Sequence, residues 1–266
     1  MAVVAFAARH APVSAEVGLR LGMAQLAPDG LSEQWILRFC GDQHWALIAQ
    51  ALGLGAAVFH APDGRPVYAA FCATSLRTLP CGALLGRDLR VASSLYAVTE
   101  TRTGSQHRIT VDGAVIAEVS MISTFVSHEA SGCNNRIHRN SVLGELSLLP
   151  AGSDLMRLDR HARERARRMR GMQLASGPVI HSERPVPALD FNAVGLLYFP
   201  TFSRIAEAAA YRLTGRSTAI LQREVVYLGN INPGDTVDVF GQDSKMVMAR
   251  ADRVPIAVIE TRSASV

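Results

Sequence analysis

Asp190-Phe-Asn-Ala-Val-Gly-Leu-Leu-Tyr-Phe-Pro-Thr-Phe-Ser-Arg-Ile-Ala-Glu-Ala-Ala-Ala-Tyr-Arg-Leu213 carries the reading that decides the fold. From Thr201 onward, Phe202, Ile205, Ala206, Ala209 and Leu213 recur at helical intervals. They therefore share one face of a helix, which Gly215 stops. Beyond it the period drops towards two. Residues 218–228, a turn at Asn232-Pro-Gly-Asp235, and then 236–240, 246–249 and 256–261 read as strands.

The N-terminal half follows the same order. In Gly41-Asp-Gln-His-Trp-Ala-Leu-Ile-Ala-Gln-Ala-Leu52, Asp42 reads as a helix N-cap, and Trp45, Ile48, Ala49 and Leu52 recur at helical spacing before Gly53. Strands are predicted at 58–60 and 67–73 around the turn Ala61-Pro-Asp-Gly64, and at 88–99. A hairpin is predicted from 107–111 and 114–126, because Asp112-Gly113 is a two-residue turn of the kind that matches strand twist. Gly86-Arg-Asp-Leu-Arg-Val91 and Gly234-Asp-Thr-Val-Asp-Val239 open comparable strands in the two halves. One helix followed by long antiparallel strands, twice, predicts an α+β double hot-dog: two tandem units, each a sheet wrapped around a central helix. The units are expected at 19–150 and 187–266, joined by a basic segment at 151–186.

Composition narrows the class. The 266 residues suit two moderate units, and 48% hydrophobic with 19% charged residues is ordinary globular material. Among 27 Lys and Arg only Lys245 is a lysine, which points to a GC-rich genome, so the net charge of +4 is discounted as a nucleic-acid signal. Cys40, Cys72, Cys81 and Cys133 lack metal-like spacing, so neither a metal site nor a disulfide framework is expected, and the thiols should be reduced and partly buried. The stretch Met1–Ala8 is apolar but short and lacks a basic start, so a secretion leader is not expected. No apolar run reaches the length of a membrane span. The expectation is a cytoplasmic bacterial protein with no nucleic-acid or membrane partner.

The sequence has no G-x-S-x-G, H-E-x-x-H, phosphate-loop or G-x-G-x-x-G motif, which argues against the common hydrolase, zincin, nucleotidase and dinucleotide classes. The blocks Leu21-Gly-Met-Ala-Gln-Leu, Gly30-Leu-Ser-Glu, Gly41-Asp-Gln-His-Trp45 and 190–202 resemble the leinamycin-type (LnmK-like) bifunctional acyltransferase/decarboxylases over most of the chain. The resemblance implies decarboxylation of methylmalonyl-CoA and delivery of the acyl group to an acyl carrier protein in polyketide-type biosynthesis. It implies a coenzyme A thioester as substrate and no bound cofactor. It also implies a tyrosine that accepts the acyl group, here Tyr68 in Pro66-Val-Tyr-Ala-Ala-Phe71.

Physical chemistry shapes these expectations. Loss of CO₂ from a thioester leaves an enolate, and backbone N–H groups at a helix N-terminus are a natural stabiliser of that charge. Gly41, Asp42, Asn192 and Gly195 are the expected substrate-binding residues, near the two anticipated helix starts. A phenol loses its proton only near pH 10, so a nucleophilic Tyr68 needs help from its surroundings. Without the resemblance, Tyr68 reads as a half-buried strand tyrosine. His44 could orient the thioester or donate a proton, or simply cap its helix. Asp190 and Asn192 echo the short acidic motif before the helix of many hot-dog thioesterases. Ala193 and Val194 stand where a histidine is usual there. Arg163, Arg167 and Arg170 belong to the basic segment, which is either a solvated helix or a docking strip for an acidic carrier protein. Plain thioester hydrolysis and non-catalytic acyl-thioester binding remain as alternatives. Because a fused pair of units is already one functional dimer, further homodimerisation is an expectation only.

Overall fold

The structure is a computed structural model describing residues 12–79, 81–129, 132–174, 177–242 and 244–264; the stretch Met1–Ala8 weighed above as a leader lies outside them. The N-terminal unit contains β1 (Val13–Arg20), β2 (Leu26–Ala27), β3 (Gly30–Leu31), α1 (Glu33–Ala51), β4 (Phe59–His60) and β5 (Pro66–Thr78). It continues with β6 (Asp88–Thr99), β7 (Arg102–Val111), β8 (Ala114–His128) and β9 (Ile137–Arg139). Helix α2 (Ser153–Met169) follows. The C-terminal unit has β10 (His181–Glu183), α3 (Pro187–Asp190), α4 (Phe199–Thr214), β11 (Ile220–Tyr227), β12 (Val237–Gln242), β13 (Lys245–Arg250) and β14 (Pro255–Ser263).

The chain is a double hot-dog. Among the described residues, one antiparallel sheet runs β1-β6-β7-β8-β5-β11-β14-β13-β12-β10, with β4 beside β5 and β9 beside β8. The hairpin of β7 and β8 turns at Asp112 and Gly113, both at positive φ, as its sequence requires. The two halves meet where Ala73–Arg77 of β5 pair with Gln222–Val226 of β11. Helix α1 buries Ile36, Leu37, Cys40, His44, Leu47 and Ile48 against its sheet, and α4 buries Phe202, Ile205, Ala206 and Ala209. Helix α4 ends at Gly215, in the left-handed conformation that glycine adopts without strain.

Three sequence expectations need correction. Helix α1 starts at Glu33, not near Asp42: Ser32 is the N-cap, and its Oγ accepts from Trp35 N at 3.3 Å. Gly41 therefore lies inside the helix. A Cβ there would sit 2.8 Å from Cε1 and Cζ of Phe199, so glycine is what lets α1 and α4 approach. The strand β1 was not anticipated, although its alternating burial is regular once seen. Cys81 is exposed, while Cys40 is buried and Cys72 and Cys133 are half-buried; none of the four forms a disulfide among the described residues.

The basic segment does more than connect. Leu155, Leu158 and Ala162 of α2 pack on Ala73, Val98, Ile122 and Val226, bridging the junction of the two half-sheets. Arg157 pairs with Glu224 and Arg165 with Glu260, both on the C-terminal half-sheet. Among the described residues, no helix is long and apolar enough to cross a membrane.

Candidate active site

Strand β5 outruns its partner. Beyond Ala73 its edge loses β11, which ends at Tyr227, and β4 pairs only with Pro66 and Val67. Residues 68–72 thus leave an open edge, and a cavity of about 1190 Å³ lies along it. The carbonyl of Ala69 on this edge accepts from the indole Nε1 of Trp45 at 2.9 Å.

The lining comes from both faces of the sheet. Val67 and Ala69 pack with Leu47 and Ile48 of α1, so by alternation Tyr68, Ala70 and Cys72 face the other way, towards α2. Tyr68 is paired with Val126, and Val126 with Arg139, so these three share that face. On the α1 and α4 side the walls are Trp45, Phe71, Phe199, Phe202 and the loop residues Leu196 and Leu197. The cavity therefore straddles the sheet where the two units part.

Its chemistry is mostly apolar with a few convergent polar groups. Asp42 is the one carboxylate among the described lining residues. Its residue surface is exposed, yet the cavity wall strips part of its hydration and raises its pKa. Tyr198 lies under Arg38, whose Cζ is 5.7 Å from the ring centre. Burial pushes the Tyr198 phenol up to about 12; the charge of Asp42 adds to this and Arg38 opposes it. Tyr227 shares its hydroxyl with Thr74 Oγ1 at 3.0 Å and donates to the carbonyl of Phe199 at 3.4 Å. Burial raises its pKa well above the ordinary phenol range, so it stays protonated. Among the described residues, no three His, Cys, Asp or Glu side chains gather where a metal could be held.

The residues singled out from sequence have diverse fates. Tyr68, Asp42 and Asn192 line the cavity; His44, Gly41 and Gly195 do not. His44 is wholly buried between α1 and the sheet, with Nδ1 2.7 Å from Ser105 Oγ and Nε2 2.7 Å from Ser123 Oγ. Burial, helped by nearby His107, lowers its pKa to about 3, so it is a neutral core histidine rather than a helix cap. Gly41 is a packing residue, as described above. Asn192 shapes a loop: its Oδ1 accepts from Val194 N and Leu196 N, at 3.2 and 3.0 Å. Gly195 turns the same loop at φ 78°, and its carbonyl accepts from Asn134 Nδ2 at 2.6 Å. The Asp190 carboxylate is committed to Arg204 and to Val186 N.

Helix α4 offers less to an oxyanion than its sequence suggests. Pro200 has no N–H, and Thr201 N already donates to Tyr198 O at 2.9 Å. In the basic segment, Arg163 pairs with Asp159 at 2.7 Å, whereas Arg167 and Arg170 are exposed. Tyr198, Phe199, Asn135 and Arg139, none of them among the expected site residues, also line the cavity. For Arg139 the sequence signal was weak, because strand alternation decides exposure only once the register of β9 against β8 is known.

No protein-family model matches this sequence, and no curated protein matches it significantly. Solved structures do match. An acyl-ACP thioesterase from Bacteroides thetaiotaomicron superposes with a TM-score of 0.67 at 9% identity, over 95% of this chain and 98% of that one. A 12:0-ACP thioesterase from Umbellularia californica gives 0.66 at 9% identity, over 96% and 98%. At such identity the likeness establishes the fold. It leaves the resemblance to leinamycin-type enzymes resting on the sequence blocks alone.

Proposed function

We propose that the protein is an acyl-thioester enzyme that holds its acyl chain in the cavity between the units and cleaves the thioester. Hydrolysis is the leading reaction. The observation that carries this reading is the cavity beside the open edge of β5, with aromatic walls and Asp42 on the α1 side of the sheet and Tyr68 and Arg139 on the other. The structural neighbours named as acyl-ACP thioesterases support it. For hydrolysis, Asp42 is the candidate base: it lines the cavity and has a raised pKa, which brings it nearer to the working range of a proton acceptor.

A second reading, decarboxylation of a malonyl-type thioester with transfer of the acyl group to a carrier protein, is favoured by two observations. Tyr68 lines the cavity, and the Asp190 carboxylate, which echoes the thioesterase motif, is locked to Arg204. One experiment separates the readings. The protein is incubated with a panel of acyl-CoA thioesters and with methylmalonyl-CoA, while free CoA, CO₂ and protein mass are followed. CoA release without CO₂ or a protein adduct supports hydrolysis. CO₂ release with an acyl adduct supports transfer. No turnover of any thioester overturns both.

A further inference from the structure

Arg139 stands out among the arginines that line the cavity, which among the described residues are Arg38, Arg139 and Arg250. Arg250 pairs with Asp252 and Arg38 lies over the Tyr198 ring, while on the α2 side Arg102 and Arg163 both pair with Asp159. Arg139 is exposed, lines the cavity and makes no ion pair among the described residues. It is not on a loose loop: β9 holds it in register beside Val126, in the same cross-strand row as Tyr68. The surrounding field is positive. Burial pushes the Cys72 thiol up in the cavity wall, while Arg102, Arg139 and Arg163 pull it down against the single carboxylate of Asp159.

We infer that the α2-side mouth of the cavity is an anion site, in which Arg139 binds the 4′-phosphate of a phosphopantetheine arm. This rests on the thioester reading and gives it a direction through the sheet. The phosphate stays at Arg139, the arm passes the open edge of β5 at residues 68–72, and the acyl chain ends among Trp45, Phe71 and Phe199. The chemistry matches at each stage. A guanidinium fork suits a phosphate, which keeps its charge at the solvated mouth. The arm's amides suit an open strand edge, whose backbone presents donors and acceptors in a row. The aromatic walls suit hydrocarbon.

The test is direct binding to the whole protein by calorimetry, with pantetheine, 4′-phosphopantetheine, coenzyme A and a carrier protein in its apo and phosphopantetheinylated forms. The phosphate should strengthen binding of the arm by roughly tenfold or more. Arg139→Gln should remove that gain and leave plain pantetheine at its original affinity. Arg139→Lys, which keeps the charge but loses the fork, should restore part of it and shows that loss in the Gln variant is not misfolding. Phosphate-dependent binding of coenzyme A alone assigns a free cofactor source, and of the modified carrier alone a protein-borne one; either supports the site. Equal affinity for pantetheine and its phosphate, or a phosphate gain that survives Arg139→Gln, overturns it. Because binding needs no turnover, phosphate-dependent binding without thioester cleavage would sink the enzymatic reading and leave the site standing.

Discussion

The indole Nε1 of Trp45 donates a 2.9 Å hydrogen bond to the carbonyl of Ala69, so a helix side chain closes part of the strand edge that β11 abandons. The same indole packs on Phe71 and Tyr198, with ring centres 5.6 and 6.3 Å away. Trp45→Phe keeps an aromatic ring there but leaves the carbonyl without its donor. Urea unfolding should show a loss of about 1–3 kcal/mol, the usual cost of a deprived acceptor in a part-buried site. The cavity should also loosen, raising KM for long-chain thioesters more than it lowers kcat. An unchanged urea midpoint would mean that water replaces the indole without cost.

Gly41 gives an interaction that can be isolated. In an exposed helix, Gly→Ala gains about 1 kcal/mol of propensity. Here the new methyl would meet the Phe199 ring at 2.8 Å, and that ring is hemmed in by Phe71 and Trp45. Gly41→Ala should therefore destabilise by about 1–3 kcal/mol, the cost of overpacking. Phe199→Leu should relieve it, so the double variant should be more stable than the sum of the single changes predicts. Additivity in the cycle would refute the proposed clash.

These two sites show what the sequence could and could not reveal. The strand at 88–99, the Asp112-Gly113 hairpin and the Gly215 stop were legible because each rests on local backbone preference or a short period. Gly41-Asp42 looked like a helix start for the same reason. Only the distant Phe199 ring explains a glycine inside a helix, and no local rule carries that information. The cavity was hidden more deeply. It exists because β5 is longer than its pairing with β11, a register between residues some 150 positions apart. Tyr68 could be named from the resemblance, but Arg139 becomes a cavity residue only after β9 is set against β8.

Arg223 joins the two central helices. It is buried on β11, with Nη1 2.5 Å from Glu33 of α1 and Nη2 2.7 Å from Glu207 of α4. Burial raises the Glu33 pKa, and Arg223 is the main group holding it down. Arg223→Met would leave the Glu33 carboxylate buried and unpaired, at a cost of about 3–5 kcal/mol. The Glu33 pKa should then rise further, so protonation relieves the penalty as pH falls. Urea midpoints should therefore differ more between variant and wild type at pH 8 than at pH 5.5. Adding Glu33→Gln should recover part of the loss; a pH-independent difference would count against this account.

His44 and His107 should make the fold acid-labile. Ser93, His107, Ser105, His44, Ser123 and Thr103 form one buried chain, with links of 2.7 to 3.0 Å. One proton per imidazole lets every link be made in a single direction, whereas a second proton on either ring would force the facing hydroxyl to turn its own proton away from the chain. Burial lowers both pKa values from 6.5 to about 3, with His107 adding to the effect on His44. The unfolded chain thus binds protons at a pH where the folded one does not. Stability is fully present above about pH 6.5 and declines as pH falls towards 3, by up to about 1.4 kcal/mol per pH unit for each histidine. Urea unfolding between pH 7 and 4 should show this slope, and His44→Gln with His107→Gln should flatten it. Imidazole NMR signals of either residue titrating near pH 6.5 in the folded protein would contradict it.

Tyr68 decides between the two chemistries. Its ring meets His128 edge to face, with centres 5.6 Å apart, and that contact survives when only the hydroxyl is removed. Tyr68→Phe should therefore unfold within about 0.5 kcal/mol of wild type, as expected for a half-buried side chain that keeps its packing. If the hydroxyl donates to the thioester oxygen or accepts the acyl group, kcat should fall roughly a hundredfold with little change in KM. Protein mass separates those roles. An acyl adduct on the Tyr68 peptide of the wild type, absent from the Phe variant, identifies the hydroxyl as acceptor and favours transfer. A fall in kcat with no adduct makes it a hydrogen-bond donor in hydrolysis, leaving the base role to Asp42; Asp42→Asn should then lower kcat while leaving methylmalonyl-CoA intact. With methylmalonyl-CoA as substrate, CO₂ release that persists in Tyr68→Phe would show that enolate stabilisation lies elsewhere in the cavity and that the tyrosine acts only afterwards. Wild-type turnover in Tyr68→Phe would return the residue to the strand tyrosine that its position alone suggests.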